Sequence, residues 1–206
     1  KVRDEWKPLW GKRAVVEDHF NELVIDLVNP AGQPERMQLV VRGYNDGFAF
    51  CYKIPEGEGE CVNVQSELTA YNFAGDYTAW FYNGENHNIG PEKLTETDGT
   101  RLPVMTVKAG DKHYMAIHEA CLETGAPLVL QSKGGESLFS VASKPTSLSP
   151  GYTSAWRVVL YGTTPGVLTD SHLLELLNPD PDSRYDFSWV KPGLAVWDWR
   201  INGAVW

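Results

Sequence analysis

The run Arg36-Met37-Gln38-Leu39-Val40-Val41-Arg42-Gly43, then Tyr44-Asn45-Asp46-Gly47, then Phe48-Ala49-Phe50-Cys51-Tyr52-Lys53-Ile54 decides the fold class. Its first part is apolar and β-branched, which suits a pleated surface. In its last part Phe48, Phe50, Tyr52 and Ile54 alternate with other residues, the period of a strand with one face buried. Asp-Gly between two such runs is a strong short-range hairpin signal. The segment reads as two antiparallel strands around a turn at Asn45-Asp46-Gly47.

The same reading extends outward. Glu67–Phe73, Tyr77–Tyr82, Leu102–Lys108, Lys112–Glu119, Pro127–Gln131, Ser137–Ala142 and Ala155–Tyr161 are further strand candidates at roughly ten-residue spacing. That spacing predicts an antiparallel sandwich rather than alternating βα units. Helix is expected only in short pieces: Thr169-Asp170-Ser171 offers an N-cap before His172–Leu177. Asn178-Pro179-Asp180-Pro181-Asp182 then marks a boundary. Gly193–Trp199 reads as one more strand, with too little chain after it for a second domain, so the sequence is expected to be a piece of a longer protein.

Composition narrows the function classes. The 206 residues carry 27 Asp plus Glu against 18 Lys plus Arg, a formal net charge of -9, without the basic cluster that phosphate binding requires. No nucleic-acid partner is expected. With 42% hydrophobic and 22% charged residues the chain has the make-up of a globular domain. No run approaches the ~18 apolar residues of a membrane span. Eight Trp, nine Tyr and seven Phe suit both a β core and faces that stack on sugar rings. Cys51, Cys61 and Cys121 lack zinc-ribbon spacing and leave room for one disulfide at most. The acidic loop Pro55–Glu60 reads as a solvated turn rather than a cation site.

Candidate chemistry is sparse. No G-x-S-x-G elbow occurs, and His118-Glu119 lacks the second His of H-E-x-x-H. His113 and His118 fall on opposite faces of their strand. Alternation puts Lys112, Tyr114, Ala116 and His118 on one face and His113, Met115, Ile117 and Glu119 on the other. Glu119 thus lies on the more apolar side, where an unpaired carboxylate is costly. An ion pair with an Arg such as Arg157 is one account of it. Trp6, Trp10, Trp80 and Trp156 read as core or interdomain anchors before glucan platforms, and the polar loop Tyr82–Asn88 has only composition to suggest a sugar rim.

Several stretches in order resemble one family: Trp6–Arg13, Asn21-Glu22-Leu23, Arg42–Phe50, Ile117-His118-Glu119-Ala120, Ala155–Val159, and Ser188–Gly193 leading into Trp197-Asp198-Trp199. Together they are similar to the N-terminal region of glycoside hydrolase family 97, which includes α-glucosidases and α-galactosidases. The resemblance implies a large antiparallel β-sandwich of the galactose mutarotase type, truncated at the start of a catalytic (β/α)8 barrel. Residues 1–180 would form the sandwich, with its early strands missing, and 181–206 the linker and first barrel strand, where Trp189, Trp197 and Trp199 would pack. The departures from the family pattern, at Cys51 and Arg200, bear on specificity rather than fold.

The resemblance also implies chemistry. The catalytic carboxylates would lie in the barrel, so no catalytic residue is expected in this chain and it should be inactive alone. The intact enzyme would act on an oligosaccharide, use Ca2+, and be periplasmic or extracellular. Glu119, in its Glu-Ala context, would reach into the barrel mouth as a Ca2+ ligand, the second account of this residue. Two other functions remain open: a free-standing carbohydrate-binding sandwich, and a mutarotase-like epimerase. The last fits poorly, because His118 and Glu119 are adjacent on a strand and point apart.

Overall fold

A computed structural model describes residues 2–8, 11–28, 30–32, 34–82, 88–180 and 182–195. Of these, 49% lie in strands and 7% in helices, and the pairings are antiparallel, so the fold is the mainly-β architecture expected.

The hairpin at the centre of the sequence argument is present. Strands β3 (Pro34–Tyr44) and β4 (Gly47–Lys53) pair with Tyr44 opposite Gly47, leaving Asn45 and Asp46 as the turn. Gly47 has φ +155°, and a Cβ there would stand 2.3 Å from the Val159 carbonyl oxygen. The hairpin therefore needs glycine for close backbone approach to the next strand.

One long sheet grows from this hairpin. On one side are β2 (Val16–Val28) and β1 (Val2–Trp6). On the other are β14 (Trp156–Gly162), β10 (His113–Ala120) and β9 (Asp98–Ala109). Strand β9 joins the layers. Its first residues, Asp98–Arg101, pair with β11 (Leu130–Lys133), and Leu102–Lys108 pair with β7 (Thr78–Tyr82), which also pairs β8 (Asn88–Lys93). Strand β11 continues to β12 (Leu138–Val141) and β6 (Ala70–Asn72). A small separate pair, β5 (Val62–Val64) with β13 (Thr146–Leu148), flanks them.

The central strands bury both faces. One face packs Phe81, Met105, Val107 and Ile117 against Leu130, Phe139 and Val141. The other packs Ala49, Ala116, Trp156, Val158 and Leu160 against Leu173 and Leu177 of the helical segment. Ala116 and Ile117 thus take opposite faces, as alternation predicts.

The helical segment differs from its sequence reading in detail. It is two short helices, α1 (Pro165–Asp170) and α2 (Leu173–Leu176), rather than one piece opening at Asp170. Ser171 is extended, which ends α1, and its Oγ accepts the Leu173 N–H at 3.2 Å, so it serves the second helix. Pro165 at the start of α1 fits a first-turn position, where its missing N–H costs nothing. The Pro55–Glu60 loop is exposed at all three glutamates, and Cys51, Cys61 and Cys121 are unpaired thiols. Burial pushes the Cys51 thiol up to about 11. Among the described residues no helix is long and apolar enough to cross a membrane. Val196–Trp206, including the later part of the expected Gly193–Trp199 strand, lies outside the described residues.

Candidate functional site

The buried charges gather at one place on the sheet. Glu119, next to last in β10, lies directly across from Arg157 in β14. Cross-strand partners on one face sit about 5 Å apart at Cβ, close enough for their side chains to meet. The Arg157 guanidinium is almost wholly buried, with 4% of its side chain exposed, and Glu119 shows 8%. Arg157 Nη1 is 3.6 Å from Glu119 Oε2.

Arg157 bonds more closely to a third residue. Its Nε donates to Glu67 Oε1 at 3.1 Å and its Nη2 to Glu67 Oε2 at 2.7 Å, a forked pair. Glu67 precedes β6 on a stretch that has left the ladder, and its backbone N–H donates to Ser143 Oγ at 2.8 Å. The loop after β10 closes the site from above. The Ala126 carbonyl accepts from Arg157 Nη1 at 3.4 Å, and the Leu128 N–H donates to Glu119 Oε2.

Two carboxylates share one guanidinium, so the cluster carries one surplus negative charge. Burial disfavours the Arg157 cation, but the twice-bonded Glu67 carboxylate outweighs it and holds the guanidinium above its usual range. Tyr71 stands beside this group with its hydroxyl buried, and burial pushes that hydroxyl well up.

In this structure Glu119 is an ion-pair partner of Arg157, capped by the Leu128 N–H. Calcium takes six to eight oxygens, and among the described residues no group of three or more His, Cys, Asp or Glu converges to hold a metal. Glu119 would supply at most one of those oxygens. Sequence reasoning reached Glu119 and its neighbour Arg157. It did not reach Glu67 as the stronger partner, since 90 positions separate the pair and no motif links them.

The Glycosyl-hydrolase 97 N-terminal family matches residues 1–179. The chain belongs to that family. It is 29% identical over 188 residues to a probable retaining alpha-galactosidase of Streptomyces bingchenggensis, an alignment covering 82% of this chain and 27% of that protein. It is 26% identical over 199 residues to a retaining alpha-galactosidase of Bacteroides thetaiotaomicron, covering 77% of this chain and 30% of that one. A glycoside hydrolase family 97 enzyme from Pseudoalteromonas sp. strain K8, solved in complex with acarbose, superposes with a TM-score of 0.78 at 25% identity, over 93% of this chain and 31% of that one. The chain spans less than a third of the length of each.

Within this glycosyl-hydrolase 97 N-terminal domain, the other candidates disperse. His113 Nδ1 pairs with the Tyr161 hydroxyl at 2.7 Å on the surface, while His118 Nδ1 accepts the Glu119 N–H at 2.8 Å. They do not meet. Trp156 is buried beneath Arg42, whose guanidinium lies 4.9 Å from its ring, and Trp6 sets its edge against His172. Trp189 is exposed. Trp10, Trp197, Trp199 and Asn83–His87 of the polar loop lie outside the described residues.

His118 gives a pH signature to this family domain. Burial lowers its ring below the ordinary imidazole value of about 6.5, with the Glu119 charge opposing. A depressed histidine contributes stability that is complete above the unfolded value and is lost as pH falls through the folded one. Between about pH 7 and pH 5 the urea midpoint should therefore fall less steeply in His118→Gln than in the unmutated protein. Equal slopes would show that His118 titrates as it does in the unfolded chain.

Proposed function

We propose that this chain is the non-catalytic β-sandwich of an α-glycosidase whose whole form hydrolyses α-glucosides or α-galactosides. In this reading residues 1–180 form the sandwich and 181–206 lead into a (β/α)8 barrel that holds the catalytic carboxylates. The family membership and the retaining alpha-galactosidase relatives support the substrate class. Leu23, Ile25 and Phe48, exposed on one face of the sheet, support packing against more protein. The enzyme would work in the periplasm or outside the cell.

The observation that carries the chain's own part is the Glu67–Arg157–Glu119 cluster with its surplus negative charge. Glu119 would supply one oxygen to a Ca2+ ion shared with the barrel, and Arg157 would fix where that carboxylate stands. The bound ion would orient substrate and offset developing negative charge. The residues here bind and position. The two carboxyl groups that glycoside hydrolysis requires are sought in the barrel.

The test is a comparison of lengths. The 206-residue chain alone should release no nitrophenol from p-nitrophenyl α-glucoside or α-galactoside, while the whole protein turns over at least one of them. Turnover by the chain alone would place the catalytic groups within it and overturn the reading.

A further inference from the structure

A hollow of about 530 Å³ lies between the β3–β4 turn and the α1–α2 junction. It shares no lining residue with the Glu67–Arg157–Glu119 cluster. Arg13, Glu17, Asn45, Asp46, Asp170 and His172 are among the groups that line it. The volume falls within the range of small-molecule sites and has room for one or two sugar rings.

His172 is the unusual member. Its side chain is 7% exposed, and neither ring nitrogen has a hydrogen-bond partner among the described residues. The nearest charged group is Glu175, its Oε1 3.6 Å from Nδ1. Buried polar groups are seldom left unpaired, because each such group costs about 1–3 kcal/mol. A buried imidazole that lines a hollow and lacks hydrogen-bond partners among the described residues points to something that enters the hollow.

The chemistry of that occupant follows from the ring. An uncharged imidazole presents one donor and one acceptor. An anion satisfies only the donor, and although Arg3 offsets Glu17, the lining carboxylates Glu17, Asp46 and Asp170 outnumber Arg13 and His19 and oppose it. An ammonium group or a metal ion satisfies only the acceptor. A hydroxyl both donates and accepts, so a polyhydroxyl compound can serve both nitrogens while Asn45 and the carboxylates take its other hydroxyls. Trp6 is not itself a lining residue, but it stands against the His172 ring, 6.2 Å between centroids and 40% exposed, close enough to report what binds there.

We propose that this hollow is a binding site for a neutral sugar of one or two rings, with His172 as its central hydrogen-bonding group. The site neither requires Ca2+ nor depends on Glu119.

Histidine Cε1 resonances of the whole protein, labelled with carbon-13, test it. The His172 signal is assigned by its loss in His172→Phe, or in His172→Gln should the phenylalanine variant not fold. Maltose and methyl α-galactoside are titrated separately, with phosphate and ammonium as controls. The expected result is a saturable shift of the His172 signal with at least one sugar, while His113 does not move. In His172→Gln, which keeps a donor and an acceptor, Trp6 labelled with fluorine-19 should still report binding, and in a folded His172→Phe the affinity should fall about tenfold. A His172 signal unmoved by either sugar, or moved only by phosphate or ammonium, overturns the proposal. Because the signal is read at His172, its failure leaves the glycosidase reading untouched, and lost turnover would leave this one untouched.

Discussion

Glu119→Gln in the whole enzyme should lower Ca2+ affinity and kcat/KM together, with partial recovery of activity at high Ca2+. The substitution keeps the shape of the side chain and the acceptor for the Leu128 N–H, but removes the charge. It turns a cluster of two carboxylates and one guanidinium into a neutral pair, Glu67 with Arg157, whose forked hydrogen bonds stay in place. The domain should therefore fold and keep its stability while losing its cation contribution. Loss of a charged oxygen from a hard-cation shell is expected to weaken binding about tenfold or more. Unchanged calcium dependence and unchanged kcat/KM would leave Glu119 as a structural partner of Arg157 and nothing else.

Arg157→Met should have the opposite character, with a large effect on folding. The side chain is almost wholly buried and is the shared cation of both Glu67 and Glu119. Removing it leaves two carboxylates to face each other across a closed loop, and breaking a buried pair costs about 3–5 kcal/mol. Glu67 keeps 19% of its side chain exposed, so the lower end of that range, about 3 kcal/mol, is expected. Urea unfolding of the variant measures it. A double variant with Glu67→Gln should recover part of the loss, because one of the stranded charges is gone. A cost below about 1 kcal/mol would mean that the loop 121–129 opens to water and the cluster is solvated.

The parts of the fold that were readable share a physical cause. Around Asn45-Asp46-Gly47 local turn chemistry and alternation agree, so the hairpin was legible from a few residues. Strand β2 was not foreseen, although it runs Val16–Val28. Glu17, Asp18, Asn21, Glu22 and Asp26 interrupt its apolar pattern, and most of its residues after Phe20 are exposed, so burial never imposes a period of two. Strand β6 is shorter than the Glu67–Phe73 run suggested, because Glu67 turns out of the ladder toward Arg157 and bonds Ser143 instead. In β10 the alternation was clean, and it put Glu119 on the right face with Arg157 opposite. The loop groups of Ala126 and Leu128 that hold the pair are backbone atoms, which carry no sequence signature. His172 read as part of a helix face, and only the break at Ser171 turns it into the wall of a hollow.

The most direct measurement is a structure of the whole protein grown with Ca2+, with the ion located by its anomalous scattering. The account predicts a Glu119 carboxylate oxygen about 2.3–2.6 Å from the ion, with the remaining ligands drawn from the barrel. Calcium bound elsewhere, with Glu119 still held by Arg157 and Leu128 alone, would contradict it.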